Sequence, residues 1–185
     1  LRLCDPPFSL SRSDLLRGTV LSIGRQAMMP QMRAPLNDAA AVDLAAACAA
    51  GAFPSLAALA LSGNCIGDAG VSALATTAVQ TGCFASVARI LLGDNDFGDV
   101  GLLALTEAVV AGALPALRGL HLYPPPTPFG NNAALAIGAL PPKVMHFSPE
   151  ARATAEHAFA ARGIALHFTR QEAGGGGRGG GGGGG

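Results

Sequence analysis

Two stretches in the middle of the chain carry the same pattern of apolar and polar positions. Residues 56–66 and 87–97 match in apolar character at five positions and carry an asparagine, Asn64 or Asn95, at the ninth. Each stretch contains a short apolar core of the Leu-x-Leu kind, in which alternate residues face the same side of a strand. Agreement at so many spaced positions predicts an internal repeat, and a period of about 20–50 residues is typical of solenoids.

A third copy of the pattern begins at Leu117, so that the starts of successive copies lie 31 and 30 residues apart. It is interrupted after Leu122 by Tyr123 and the proline-rich run Pro124–Pro128, and it resumes at Phe129. The run could be a polyproline ligand for a partner domain. An insertion loop on one repeat is the simpler interpretation, because loops tolerate insertions.

Each unit is predicted to contain a strand, a turn and a helix. The asparagine stands where the chain leaves the strand, and its amide can donate to and accept from backbone groups of a buried turn. Asp68 and Asp99 follow a glycine and are placed to cap a helix N-terminus, where a carboxylate also suits the helix dipole. Apolar residues then recur with helical spacing over 71–78 and 102–109.

Glycines also recur near the predicted helix starts, at positions 67, 70, 98 and 101. Backbone N–H groups at such a place could hold a phosphate. Because the glycines recur in each unit, we interpret them as turn residues of the repeat. The repeated Asp68 and Asp99 could bind a cation, but a helix cap is the simpler role.

This pattern resembles the ribonuclease-inhibitor-type leucine-rich repeats, best over residues 56–122. The resemblance implies an α/β solenoid, a horseshoe with a parallel sheet on its concave side and helices on its convex side. Asp38 lies 30 residues before Asp68 and would open an earlier helix, with its strand near Met28–Met32. Leu1–Leu3 with a helix over Ser11–Val20 would form another degenerate unit.

The C-terminal part predicts further elements. Lys143–Phe147 has the pattern of a short strand, and Ser148 followed by proline starts a helix that runs to about Ala161. Ile164–Phe168 alternates as a last strand. We therefore expect five or six units in one domain over 1–172, with clear repeats over 56–140, degenerate units over 1–55 and 141–170, and a disordered glycine-rich tail over 173–185.

Composition narrows the classes of function. Half of the 185 residues are apolar and the formal net charge is zero, which argues against a generally disordered chain. Lys143 is the only lysine and the eleven arginines are scattered, so a nucleic-acid partner is not expected, since phosphate binding needs clustered cations. Arg178 stands alone between glycine runs, and we interpret the tail as low complexity.

The N-terminal residues, the apolar stretches and the cysteines together predict the cellular compartment. No secretory leader is visible in the opening residues, and Leu1 need not be the native start. The alanine-rich stretches 39–53 and 100–117 contain charges that disfavour a membrane span. The four cysteines show no zinc-ligand spacing and could form two disulfides. With an ample apolar core, buried free thiols and a cytoplasmic location are the expectation.

The sequence carries no pattern typical of catalysis. It has no phosphate-loop, nucleophile-elbow or zinc-protease motif. The four histidines are His121, His146, His157 and His167. His146 with Glu150, or His157 with Glu156, could form an acid–base or metal pair, but no third ligand has matching spacing. We expect no enzyme activity, no metal and no cofactor.

Strand alternation instead predicts which side chains face outward. These include Arg89, Leu91, His121 and Tyr123, of which arginine and tyrosine are types enriched in binding hot spots. We take these four residues as candidate contacts for a protein partner, with an ordinary solvated sheet face as the alternative.

The expected function is a non-catalytic protein–protein interaction scaffold that uses the concave face, since repeat solenoids expose a long surface with variable side chains. One alternative is a regulator of a small GTPase or another enzyme, because some proteins similar to this one act so, although no arginine here matches such a role. Another is the sensing part of a larger receptor-like protein. The partner itself is not encoded in the pattern.

Overall fold

A computed structural model describes residues 20–22, 36–123 and 144–168. Strands and helices alternate along it, and the helices are three to four turns long. The strands are β1 (Val20–Ser22), β2 (Ala58–Ala60), β3 (Arg89–Leu91), β4 (Gly119–His121) and β5 (Ala165–His167). The helices are α1 (Asp38–Ala49), α2 (Asp68–Thr81), α3 (Asp99–Val110) and α4 (Pro149–Ala161).

The five strands form one parallel sheet in chain order, β1 to β5. Its register joins equivalent repeat positions, since Leu59 pairs with Ile90, Ile90 with Leu120, and Leu120 with Leu166. The helices pack against one another in the same order, α1 to α4. In the described part of the chain, strand pairing and helix packing therefore join successive units, and the α/β solenoid that the repeat predicts is confirmed.

The core lies between the sheet and the row of helices. Leu59, Ile90 and Leu120 point into it from the strands and are at most 4% exposed. Leucines that follow the strands and those of the helices fill the same layer, among them Leu61, Leu92, Leu122, Leu44, Leu74 and Leu105. Because these residues come from every unit, the units share one continuous interior.

The predicted strand over Lys143–Phe147 is wrong. Residues 144–148 form no strand and lead into α4, and Val144 is 71% exposed. The ring of Phe147 packs against Phe97, with 5.8 Å between centroids, so Phe147 fills the place just before a helix that Phe97 fills in the preceding unit. The apolar Phe147 therefore packs a loop against the preceding unit and does not belong to a strand. β5 pairs directly with β4.

The described part of the chain also shows which helix follows α3 in the row. Among the described helices, α4, which begins at Pro149, packs beside α3. Ser148 caps it by accepting from the Ala151 N–H at 3.2 Å, so the helix start and the last strand are confirmed. Phe129 and the proline-rich run lie outside the described residues.

The strand beside β2 also differs from the prediction. It is β1, whose Leu21 pairs with Leu59, whereas Met28–Met32 lie outside the described residues. A connection of fifteen residues, 23–37, then separates β1 from α1, where seven residues separate β2 from α2.

The described cysteines occupy three different environments. Cys48 is buried in α1, and its burial, together with the nearby Cys83, raises the pKa of its thiol to about 12. Cys83 is half-buried, whereas Cys65 is exposed, so the expectation of buried thiols holds for Cys48 and is wrong for Cys65. None of the helices in the described part is both long and apolar enough to cross a membrane.

Candidate protein-binding face and the bonds that support it

Two buried asparagines join neighbouring units through their side-chain amides. Asn95 donates from Nδ2 to the carbonyl oxygens of Leu92 and Leu61 and accepts at Oδ1 from the N–H of Ile66. Asn64 donates to the Leu61 carbonyl and accepts from the N–H of Leu36, one unit earlier. The amide has both donor and acceptor groups, so a single side chain satisfies buried backbone groups of two units.

The repeated aspartates cap helices across the boundary between units. The carboxylate of Asp38 accepts from the N–H groups of Gly67 and Gly70 at 2.6 and 3.0 Å. Asp68 is itself the first residue of α2, and it accepts from the corresponding Gly98 and Gly101 at 2.9 and 2.7 Å. Each carboxylate therefore forms its hydrogen bonds with the N-terminus of the next helix, whose first N–H groups have no partner within that helix and whose dipole favours a negative charge.

The glycines at these helix starts leave room for the carboxylate. A β-carbon on Gly70 would stand 2.7 Å from Asp38 Oδ1, and one on Gly101 would stand 3.0 Å from Asp68 Oδ1. The residues before the helices, Gly67 and Gly98, have negative φ angles that other residues adopt easily. The interpretation of these glycines as turn residues is therefore wrong for Gly70 and Gly101, which lie within helices and are needed for close approach.

The two outer helices carry their own caps instead. Asn37 accepts from the Ala40 N–H in α1, and Ser148 accepts from the Ala151 N–H in α4. Alanine stands in both at the position that is glycine in α2 and α3. Among the described residues, the hydrogen bond that Asp99 accepts comes from the N–H of Ser148, at 2.8 Å. A helix start is thus completed in one of two ways. Either its own N-cap side chain accepts the N–H of an alanine three residues later, or a carboxylate of the preceding unit accepts the N–H of a glycine at that position.

All these bonds lie on the loop and helix side of the sheet, and its other side carries different chemistry. We call this other side the open sheet face. Its residues occupy alternate positions of the strands or lie two positions beyond a strand's last residue: Ala58, Ala60, Ser62, Arg89, Leu91, Gly93, Gly119, His121, Tyr123, Ala165 and His167. The open sheet face therefore differs in composition from the core and from the capping loops.

The four candidate contact residues all lie on the open sheet face. Arg89 is exposed, and Leu91, His121 and Tyr123 are half-buried. The register sets Leu91 directly beside His121, while Arg89 lies beside Gly119. The structure thus brings together the four residues chosen from the sequence, three on the adjacent strands β3 and β4 and Tyr123 just beyond β4.

His121 forms the centre of an aromatic cluster. Its ring stacks on that of His167, with 4.8 Å between centroids and 24° between planes, and meets the ring of Tyr123 edge-on at 5.6 Å. Its Nδ1 atom is buried and makes no hydrogen bond within the described part of the chain. Partial burial, then His167, then the charge of Arg89 all lower the pKa of His121 below its usual value.

The lowered pKa of His121 makes the stability of the fold depend on pH. The unfolded chain takes up a proton on this residue near pH 6.5 and the folded chain only at lower pH, so acid favours unfolding in this range. We expect the urea midpoint to fall between pH 7.5 and pH 5.5, and to fall less in His121→Phe, which keeps a ring in the stack. His157→Phe, at an exposed position of α4, is the control; an equal pH dependence in both variants would contradict the assignment.

The other histidines do not join this cluster. His146 is exposed in the loop before α4 and His157 is exposed on α4, away from His167 on the sheet. In the described part of the chain, no group of three metal-binding side chains comes together. Among the described residues, His121 and His167 therefore form a pair on the sheet, and His146 and His157 lie at separate exposed positions.

His167 is the residue of this face that sequence reasoning missed. Its strand was predicted, but the false strand over Lys143–Phe147 would have separated it from β4. Aligning Ala165–His167 directly with Gly119–His121 places the two histidines opposite each other. The shared small-Leu-His pattern of these two segments was the signal that could have found the pair.

Comparison with known proteins agrees with this architecture. A family model described as "Leucine Rich repeat" matches residues 54–75 and 92–105. The first match runs from the loop before β2 into α2, and the second runs from the end of β3 into α3. With the parallel sheet and helices described above, these matches show an α/β leucine-rich-repeat solenoid. The ribonuclease-inhibitor-type subtype stays a prediction.

One solved structure similar to this chain is titled "Leiomodin-1 Actin-Binding Site 2 (ABS2)". It is 13% identical, with a TM-score of 0.48, and the similarity covers 82% of this chain and 84% of that chain. A search of curated proteins gives no match.

Proposed function

We propose that this protein is a non-catalytic scaffold that binds another protein through its open sheet face. The leucine-rich repeats support the general role, because such solenoids present a long surface that is separate from their core. The choice of face rests on one observation, which is that the two sides of the sheet carry different groups. The asparagine and aspartate bonds that join the units lie on one side, and the side chains of Arg89, Leu91, His121 and Tyr123 take part in none of them.

The residue types on this face also support binding. Tyr123 and Arg89 are of the kinds that most often dominate an interface, since each combines a large contact area with hydrogen-bonding groups. The stack of His121 on His167 holds its ring in place, so little side-chain freedom remains to be lost on binding. A partner would meet a partly ordered surface rather than a set of mobile side chains.

The double variant Arg89→Ala/Tyr123→Ala tests the proposal. Loss of two contacts of this type is expected to weaken partner capture at least about thirtyfold, with the thermal midpoint nearly unchanged because neither residue is in the core. The measurement is affinity capture with the full chain followed by quantitative mass spectrometry. Val79→Ala/Val110→Ala, which changes two exposed valines on the helix side, is the matched control.

Proteins retained by the wild-type and by the valine variant, but lost from the double variant, would support the open sheet face. Equal recovery of the same proteins by the double variant and the valine variant would contradict the proposal. Loss of capture only in the valine variant would move the interface to the helices.

A further inference from the structure

The open sheet face carries basic side chains and no acidic ones. Arg89 and the two histidines are its basic residues, and none of its eleven positions is aspartate or glutamate. Within the described residues, Arg89 makes no ion pair and no side-chain hydrogen bond, although it is exposed and available. An unpaired guanidinium beside imidazoles favours a ligand that brings its own negative charge.

The position of Gly119 brings the second basic group close to this arginine. The ring of His121 lies over Gly119, and its Nε2 atom is 3.2 Å from the point where a β-carbon on that glycine would stand. Arg89 is the residue that pairs with Gly119 across the two strands. The side chain of Arg89 and the Nε2 edge of His121 therefore border the same patch of bare backbone at Gly119. We call this patch the floor of the site.

The surroundings of His121 determine which of its nitrogens a ligand can meet. Nδ1 is buried and has no hydrogen-bond partner among the described residues. His167 covers a face of the ring and Tyr123 meets its edge. Nε2 is then the nitrogen directed toward the floor beside Arg89, where an N–H at this atom would be a donor for an oxygen ligand.

Resting on the proposed function, we propose that the protein segment bound by the open sheet face is acidic, with an aspartate or glutamate carboxylate held between the Arg89 guanidinium and His121 Nε2. The fork of the guanidinium matches the two oxygens of a carboxylate. Leu91 and Tyr123 lie next to this floor and contact the apolar part of the segment. A nucleic acid fits less well, because binding along its backbone needs many cations and this face has one arginine.

The charge of the site changes with pH in a direction that can be measured. The groups that face His121 are Arg89 from β3, His167 from β5 and Tyr123 from its own loop. Arg89 and His167 disfavour a proton on His121 in the unbound protein, and a bound carboxylate would favour it. An acidic segment is therefore expected to bind more tightly at pH 5.5 than at pH 7.5, since glutamate stays largely ionised at both.

The probe is a fluorescein-labelled ten-residue peptide of alternating glutamate and alanine, compared with a peptide in which glutamine replaces every glutamate. Fluorescence anisotropy with the full chain is expected to show about tenfold tighter binding of the glutamate peptide. Arg89→Gln should reduce that binding about fivefold, a modest effect because the arginine is exposed. Arg162→Gln removes the same charge from an exposed position beyond α4 and should leave the affinity unchanged.

His121→Gln keeps a hydrogen-bonding side chain but cannot titrate, so it should reduce the tightening between pH 7.5 and pH 5.5, with His167 left as the second imidazole of the face. Equal affinity for the two peptides, no binding of the glutamate peptide, or equal losses in Arg89→Gln and Arg162→Gln would each overturn the inference. Tighter binding of a single-stranded oligonucleotide than of the glutamate peptide would also overturn it. Selective loss of captured proteins in Arg89→Ala/Tyr123→Ala would then still support the proposed function with a partner of other chemistry.

Discussion

Replacing Asn95 with alanine is expected to lower the free energy of unfolding by about 3–5 kcal/mol. The side chain is 3% exposed and makes three hydrogen bonds to the backbone of two units. Without it, the N–H of Ile66 and the carbonyl of Leu92 lose this partner in the interior, while the Leu61 carbonyl still receives the Asn64 amide. Each buried polar group left without a partner costs about 1–3 kcal/mol.

Urea unfolding at constant pH, with the slope compared between variants, measures this effect. Gln80→Ala removes an amide of the same chemistry from an exposed position of α2 and should change stability by less than about 0.5 kcal/mol. Asn95→Asp keeps the acceptor for Ile66 but turns an oxygen toward the carbonyls of Leu61 and Leu92, so it should not restore stability. If Asn95→Ala were as stable as Gln80→Ala, the amide would not join the units.

Gly70→Ala is expected to destabilise the fold by about 2 kcal/mol, although alanine is the better helix former. The new β-carbon would stand 2.7 Å from Asp38 Oδ1, 2.8 Å from Ile66 Cγ2 and 2.9 Å from Ala41 Cβ. These atoms belong to two units, so relieving the overlap requires moving α1 away from α2 or displacing the Asp38 carboxylate. Either change weakens the bonds that Asp38 accepts from Gly67 and Gly70.

The cap of α4 suggests a matched rescue. There, a serine cap stands with alanine three residues later, so Gly67→Ser/Gly70→Ala would give α2 the same arrangement. The double variant should recover part of the stability lost in Gly70→Ala, measured as a coupling energy by thermal and urea unfolding. A Gly70→Ala protein more stable than the wild-type would show that helix propensity outweighs the close approach.

Much of the fold could be predicted, because repetition makes local patterns reliable. Leu59, Leu61 and Asn64 recur one unit later as Ile90, Leu92 and Asn95, and such spaced agreement reports on a shared core. Prediction failed at the two places where the period is broken. Between β4 and α4, twenty-seven residues replace the usual seven, and the apolar segment after Lys143 resembles a strand by alternation alone. A short apolar run cannot by itself be told from a loop that packs on the core.

The candidate site was predictable in part for the same reason. Alternation along a strand places Arg89 and Leu91, or His121 and Tyr123, on one side without any knowledge of neighbouring strands. Which residues stand side by side depends on register, and register across an interrupted unit is not contained in local pattern. The pairing of His121 with His167, forty-six positions apart, therefore required the folded sheet.

The order of leucines, asparagines and aspartates along the chain was sufficient to determine a strand–helix solenoid and the side of each strand that faces its core, because each unit buries its apolar side only against its neighbours. The partners of the polar groups were decided by tertiary structure alone. Asp38 and Asp68 bond to donors about thirty residues away, and His121 stacks on a residue of a later strand. Hydrogen bonds and ring contacts act over a few ångströms in space, and only the stacking of units brings such distant positions together.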